Sequence, residues 1–396
     1  MVDEAVLAAA ADAVDAAEVI DLARALIAAK SENPGGTEDV AAGVVTEVLG
    51  GLGADPSTLR SEAGRPSVIG SLGEEGGPSL AWNGHLDVVP AGSLDTWSHD
   101  PWAGEIDADG ALVGRGAADM KGAIAGALAA ASGLRRAAIP LAGTLVFHLA
   151  ADEELAGLHG TKVLWERGLL TQDAAIVGEP SELHVGLAER GGAWFTATAY
   201  GRAAHGSQPH RGINAITSMA RFLLRLPDVL PDLEHPLVGR PTVNASLISG
   251  GSAPNVVPDR CEVDIDRRIV PGETDPDEVR APFLEVIDAL RDEHPDVDID
   301  VALREWTDAA EAPRDSEIAR IATDAVAAVT GARPRLVGFT GITDARFYIN
   351  EAKIPTVICG PGSLSVAHTA DESVPVDELV AGARAYARMF AAFLGS

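Results

Sequence analysis

Asn83-Gly84-His85-Leu86-Asp87-Val88-Val89-Pro90 continues the apolar run Leu80 to Trp82, and together they predict a buried strand from Ser79 to Val89. Side chains two residues apart on a strand share a face, so His85 and Asp87 project to the same side. A metal-bound histidine donates its other ring N–H to an acceptor that fixes its tautomer, and Asp87 is placed to supply one. Read alone, the stretch fits a hydrogen-bonded core histidine equally well.

Other acids stand where apolar segments end. Leu112-Val113-Gly114-Arg115-Gly116 leads into Ala117-Ala118-Asp119-Met120-Lys121-Gly122 and a helix of small residues through about Leu134. The glycines suggest a nucleotide loop, but Asp119 stands where the dinucleotide fingerprint requires Gly or Ala, and there is no Walker pattern. An aspartate there repels phosphate and welcomes a cation; an ordinary helix cap is the plainer alternative. The strand Gly143 to Ala150 ends in Ala151-Asp152-Glu153-Glu154, with a helix expected from Leu155 to about Arg167. Adjacent acids repel, a cost hard to justify in a structural turn, whereas one carboxylate can ligate a metal while its neighbour acts as general base. The strand Ala174 to Val177 ends in Gly178-Glu179-Pro180-Ser181, again placing an acid at the edge where α/β sheets hold their ligands. Near the C-terminus, Cys359-Gly360-Pro361-Gly362 precedes Val366-Ala367-His368-Thr369-Ala370-Asp371-Glu372, and no apolar period accounts for His368.

His85, Asp119, Glu154, Glu179 and His368 thus form a set of two imidazoles and three carboxylates. Such nitrogen and oxygen donors suit zinc and accept cobalt or manganese. Five ligands exceed one tetrahedral site with an open position and match two ions sharing a bridging carboxylate.

The rest of the chain organises around this set. Helical periodicity covers Val19 to Lys30 and Thr37 to Leu52, Ser67 to Leu72 reads as a strand, and Ala91 to Gly110 reads as a surface loop. His184 to Gly201 alternates as one long strand. It is followed by a helix (Asn214 to Leu226), strands (Thr242 to Ser249, Cys261 to Val270), a helix (Asp277 to Arg291) and a strand (Val297 to Leu303). Strand, helix, strand, strand, helix, strand is the ferredoxin-like α+β order. Parallel-type elements then resume with the helix Ser316 to Val329, the strand Thr356 to Cys359 and the helix Val376 to Leu394. The predicted fold class is α/β with a mixed, mostly parallel sheet, in a catalytic domain at 1–188 and 305–396 interrupted at 189–304 by a ferredoxin-like lid or dimerisation domain.

A length of 396 residues favours two domains. The formal charge of −29 disfavours nucleic acid or an anionic membrane as partner. Two cysteines are too few for a disulfide framework, and the acidic N-terminus lacks a signal-peptide pattern, so a cytoplasmic setting is expected. No Gly-x-Ser-x-Gly elbow supports a serine hydrolase.

In order and spacing, NGHLDVVP, GRGAADMKG, ADEE, GEPS, GRAAHGSQPHRGINAI, NVVPD, DRRIVPGE and AHTADE resemble the di-zinc peptidase family that includes acetylornithine deacetylase, succinyl-diaminopimelate desuccinylase, aminoacylase and glutamate carboxypeptidase. The resemblance implies two zinc ions, one held by His85, Asp119 and Glu179 and the other by Asp119, Glu154 and His368. It implies Asp119 as the bridge, Asp87 as the partner of His85, Glu153 as general base and a cis peptide at Asp119-Met120. It further implies His205, contributed by the partner subunit of a homodimer, as oxyanion donor, and Arg268 with Asn255 as a clamp on the substrate's α-carboxylate. A surface ion pair with Asp266 or Glu273 is the alternative for Arg268. Thr340-Gly341-Ile342-Thr343-Asp344-Ala345-Arg346-Phe347 is similar to the desuccinylase signature, with Thr343 as a substrate contact. There Ile342 stands in place of a threonine and Thr340 in place of a glycine, which disfavours a succinyl group. The expected activity is hydrolysis of N-acyl amino acids, with a dipeptidase or carboxypeptidase as the alternative.

Overall fold

The computed structural model describes residues 2–74 and 76–395, which fall into two compact units. The first runs through Leu187 and resumes at Glu311–Phe339 and from Thr343 on; the second comprises Ala188–Ala310 and Thr340–Ile342. The chain leaves and re-enters the first unit at adjacent points, since the Ala312 N–H donates to the Leu187 carbonyl at 2.7 Å.

The first unit is built on a mixed sheet. Its strands run in the order Ser57–Arg60, Pro66–Gly73, Thr144–Ala150, Ser79–His85, Ala174–Pro180, Thr356–Gly360, Val185–Glu189. The four strands from Thr144–Ala150 to Thr356–Gly360 are mutually parallel, while Pro66–Gly73 returns antiparallel. Parallel strands are covered on both faces and read as continuous apolar runs, as Leu145-Val146-Phe147 and Ala175-Ile176-Val177 do. Trp82 is wholly buried, edge-on to Tyr386 at 5.6 Å and tilted against Phe147 at 6.1 Å. The helix Lys121–Arg136 is buried on nearly every side, and its alanines and glycines let neighbours approach: a Cβ on Gly126 would lie 3.5 Å from Ala383 of the helix Val376–Leu394.

The second unit has the antiparallel order Thr242–Gly250, Arg260–Ile269, Gly191–Tyr200, Asp298–Thr307. Helices Ala215–Leu224 and Pro276–Glu293 share its core, with Phe195, Phe222 and Phe283 at the centre. Chain order and sheet order together give the ferredoxin-like arrangement.

Several elements differ from expectation. The predicted strand His184 to Gly201 is two, Val185–Glu189 and Gly191–Tyr200, because the chain passes from one sheet to the other at Arg190. The strand predicted to end at Leu303 continues to Thr307 past an irregularity between Leu303 and Glu305, where the pairing with Gly191–Tyr200 shifts register. The helix expected from Leu155 begins only at Thr161, since Ala156 and Gly157 adopt left-handed conformations incompatible with a continuous helix. The helix Glu4–Asp12, and short strands at Glu105–Ile106 and Leu336–Phe339, were not anticipated. No helix among the described residues is long and apolar enough to cross a membrane.

Candidate metal centre and active site

Each parallel strand delivers its polar residues at its C-terminal end. Ser79–His85 ends on His85 and runs on to Asp87, Thr144–Ala150 on the acidic turn, Ala174–Pro180 on Glu179, and Thr356–Gly360 on the loop carrying His368. These ends form the crevice where open α/β sheets bind ligands.

Six side chains converge there. His85 Nε2 lies 3.0 Å from Asp119 Oδ1, 3.7 Å from Glu179 Oε1 and 3.8 Å from Glu153 Oε2. His368 Nε2 lies 3.3 Å from Asp119 Oδ2 and 3.0 Å from Glu154 Oε2. Asp119 therefore faces one imidazole with each carboxylate oxygen. Two donors on a tetrahedral ion with bonds of about 2.0 Å stand about 3.3 Å apart, so these separations fit ligands around shared cations. Among the described residues, two groups could each hold an ion, His85 with Glu153 and Glu179, and His85 with Asp119 and Glu154. The peptide Asp119-Met120 is cis.

The electrostatics point the same way. Burial pushes Glu179 and Glu153 well above the ordinary carboxyl range, and the nearby acids reinforce it: Asp119 and Glu153 around Glu179; Asp344, Glu154 and Asp119 around Glu153. Burial opposes a charged His85, but Asp119, Asp87 and Glu153 outweigh it and raise its pKa. His368 is raised to about 10 by its hydrogen bonds to Asp119 and Glu154. A site with more buried acids than histidines can neutralise is chemically suited to divalent cations.

Asp87 differs from its expected role in one respect. The nearest acceptor to His85 Nδ1 is the Asp87 backbone carbonyl, at 2.9 Å, with the carboxylate at 3.6 Å. The carboxylate instead accepts the Glu153 N–H at 3.1 Å and the Glu154 N–H at 3.2 Å, anchoring the acidic turn.

Several supporting residues were not singled out from sequence. Glu372 is fully buried, accepts the N–H groups of Gly116, Ala118 and Asp119 at 2.9–3.1 Å, and pairs with Arg115 at 2.5 Å. Its place in the AHTADE stretch was the available signal. Asp344, also buried, accepts the Thr161 hydroxyl at 2.6 Å, and a Cβ on Gly157, whose φ is +63°, would lie 2.7 Å from its Oδ1.

The remaining candidates divide between the units. Thr343 is buried in the first, its hydroxyl accepting the Ala345 N–H at 3.0 Å. In the second, the loops of His205 and Asn255 are joined by the Gly206 N–H to the Asn255 carbonyl at 2.7 Å, and His205 Nδ1 lies 2.8 Å from Ser207 Oγ. Arg268 pairs with Asp266 at 3.0 Å, while the buried Arg267 pairs with Glu273.

The profile of peptidase family M20/M25/M40 matches residues 81–392, from the His85 strand into the last helix. The chain belongs to this family. The M20 proteins are metal-dependent hydrolases of amide and peptide bonds, and the acids and histidines just described lie within the matched region. Succinyl-diaminopimelate desuccinylase of Phenylobacterium zucineum is 31% identical, covering 96% of this chain and 99% of its own. Acetylornithine deacetylase of Myxococcus xanthus is 34% identical over 83% of each chain. A dinuclear metal binding M20 peptidase of Bacillus subtilis shares the fold with a TM-score of 0.69 at 18% identity, covering 96% of this chain and 98% of its own.

Proposed function

We propose that this M20 hydrolase is a di-zinc deacylase that cleaves the amide bond of N-acyl amino acids. The observation that carries the reading is the Asp119 carboxylate between the two imidazoles, with Glu154 and Glu179 closing the set. In this reading His85, Asp119 and Glu179 hold one zinc ion, and Asp119, Glu154 and His368 the other; cobalt or manganese would be accepted. When bound, the pair supplies Lewis acidity to the amide carbonyl and to water.

The chain's own groups do the rest. Glu153, 10% exposed and buried enough to hold a proton, takes one from the attacking water and returns it to the leaving amine. Asp87 keeps Glu153 in place through its backbone N–H. The second unit serves as lid and dimerisation domain: Arg268 and Asn255 take the substrate's α-carboxylate and His205 of the partner subunit donates to the oxyanion, while Thr343 of the first unit contacts the substrate. Homodimer formation is supported by the edge strand Thr242–Gly250, where Leu247 is 68% and Ile248 62% exposed, a row that invites pairing. A cytoplasmic setting accords with the two buried free thiols, Cys261 and Cys359.

The relatives named for desuccinylation and deacetylation support the deacylase reading. A panel of N-acyl amino acids and dipeptides, offered to the zinc-loaded protein, tests it. Release of free amino acid from N-acyl substrates is expected, and turnover of dipeptides alone would replace this reading with the peptidase one.

A further inference from the structure

The turn Asp152–Glu154 is held from beneath by a buried network built largely from residues that precede the matched family region, which begins at residue 81. Arg65 donates to both oxygens of Glu38, a carboxylate with no exposed surface, through Nε at 2.8 and 3.0 Å and through Nη2. Its other terminal nitrogen donates to Asn33 Oδ1 at 3.1 Å. That bond fixes which way the Asn33 amide faces, so its NH2 group points to Asp87 at 2.8 Å and Asp152 at 3.0 Å. Glu38 then accepts the Asp152 N–H at 3.2 Å, and Asp87 accepts those of Glu153 and Glu154. Three successive backbone donors thus end on two buried carboxylates that Arg65 organises.

The conformation of Asp152 shows that this support is needed. Its φ is +62°, a left-handed geometry that is unfavourable for a non-glycine residue and persists only where the surroundings over-determine it. Here the residue is fixed at its N–H by Glu38, at its carbonyl by Gly157, and at its side chain by Asn33 and the His159 N–H.

We propose that Arg65, acting through Glu38, Asn33 and Asp87, is a positioning residue for the turn that carries Glu153 and Glu154. The inference rests on the roles given to those two glutamates above. An alanine at residue 65 leaves the Glu38 carboxylate buried without its partner and frees the Asn33 amide to turn over, so the whole turn shifts with respect to His85 and Asp119.

Arg65→Ala and Arg65→Lys in the full chain test this, with two readouts: kcat and KM on an N-acyl amino acid, and zinc binding by titration of the metal-free protein. Arg65→Ala is expected to lower kcat about 10–100-fold with KM within about twofold, and to weaken one of the two zinc-binding events by a similar factor. The other event stays unchanged, because Glu154 alone among the ligands rides on this turn. Arg65→Lys restores part of both losses, and Glu38→Gln combined with Arg65→Ala loses no more than the worse single variant. A lowered melting temperature with kcat and both zinc affinities unchanged overturns the proposal. Should Arg65→Ala fail to fold, Arg65→Lys decides by the same two measurements. Full activity of Glu153→Ala would instead remove the base assignment, and the zinc titration would still report on Arg65.

Discussion

Glu372 reaches Asp119 through the backbone: one carboxylate oxygen accepts the Asp119 N–H at 3.0 Å together with those of Ala118 and Gly116. Its other oxygen pairs with Arg115, 2% exposed. The loop that presents the Asp119 carboxylate is therefore pinned by an acid more than two hundred residues away.

Removing that acid leaves a buried guanidinium unpaired and three backbone donors without their acceptor. Glu372→Ala is expected to lose about 3–5 kcal/mol of stability. It should also weaken both zinc-binding events, since the proposed arrangement places Asp119 on both ions. Denaturant unfolding of the first unit and zinc titration check the two effects.

The tasks proposed for Glu153 and Glu154 are separable. Glu153→Ala is expected to keep both zinc ions while kcat falls about 100–10,000-fold. Elemental analysis beside steady-state kinetics checks it, and metal loss in this variant would identify Glu153 as a ligand.

Dialysis against a chelator is expected to abolish hydrolysis and to lower the melting temperature, because the buried acids around Asp119 then repel one another unscreened. Adding zinc should restore both, and cobalt should restore activity with visible absorption bands of its own.

His205→Ala is expected to lower turnover about 100–1,000-fold with metal content unchanged, as removal of an oxyanion donor does. An unaltered rate would dismiss that role.

Burial holds the His148 imidazole down to about 4, against an ordinary value near 6.5, and its Nδ1 meets the Tyr348 hydroxyl at 2.8 Å. The unfolded chain then binds the proton more readily, so the stability His148 contributes is present above pH 6.5 and is lost as pH falls from 6.5 towards 4. The loss is on the order of 3 kcal/mol at most. Unfolding midpoints across that window, for the parent and for His148→Phe, should differ in slope, the variant being the flatter.

His85, Glu154 and Glu179 were legible as candidate ligands because each stands at or just beyond the C-terminal end of a largely apolar strand, where a charge calls for a partner. The structure brings them together with Asp119 and His368. Arg65, Glu38 and Asn33 carry no such mark. A charge neutralised inside the fold has the same letters around it as one on a solvated turn, and only the three-dimensional partner tells them apart. The same limit hid the choice made by His85 Nδ1, since no sequence distinguishes a backbone carbonyl from the carboxylate of the same residue. The break at Arg190 was hidden because the chain stays extended on both sides of it as it moves between sheets.

The bond between Ala312 and Leu187 closes a gap spanned by Ala188–Ala310, nearly all of the second unit. A segment with its own core, entering and leaving a host at neighbouring points, behaves as a cassette. Changes confined to that cassette therefore alter its own surface while the acids and histidines at the ends of the host's parallel strands keep their supports.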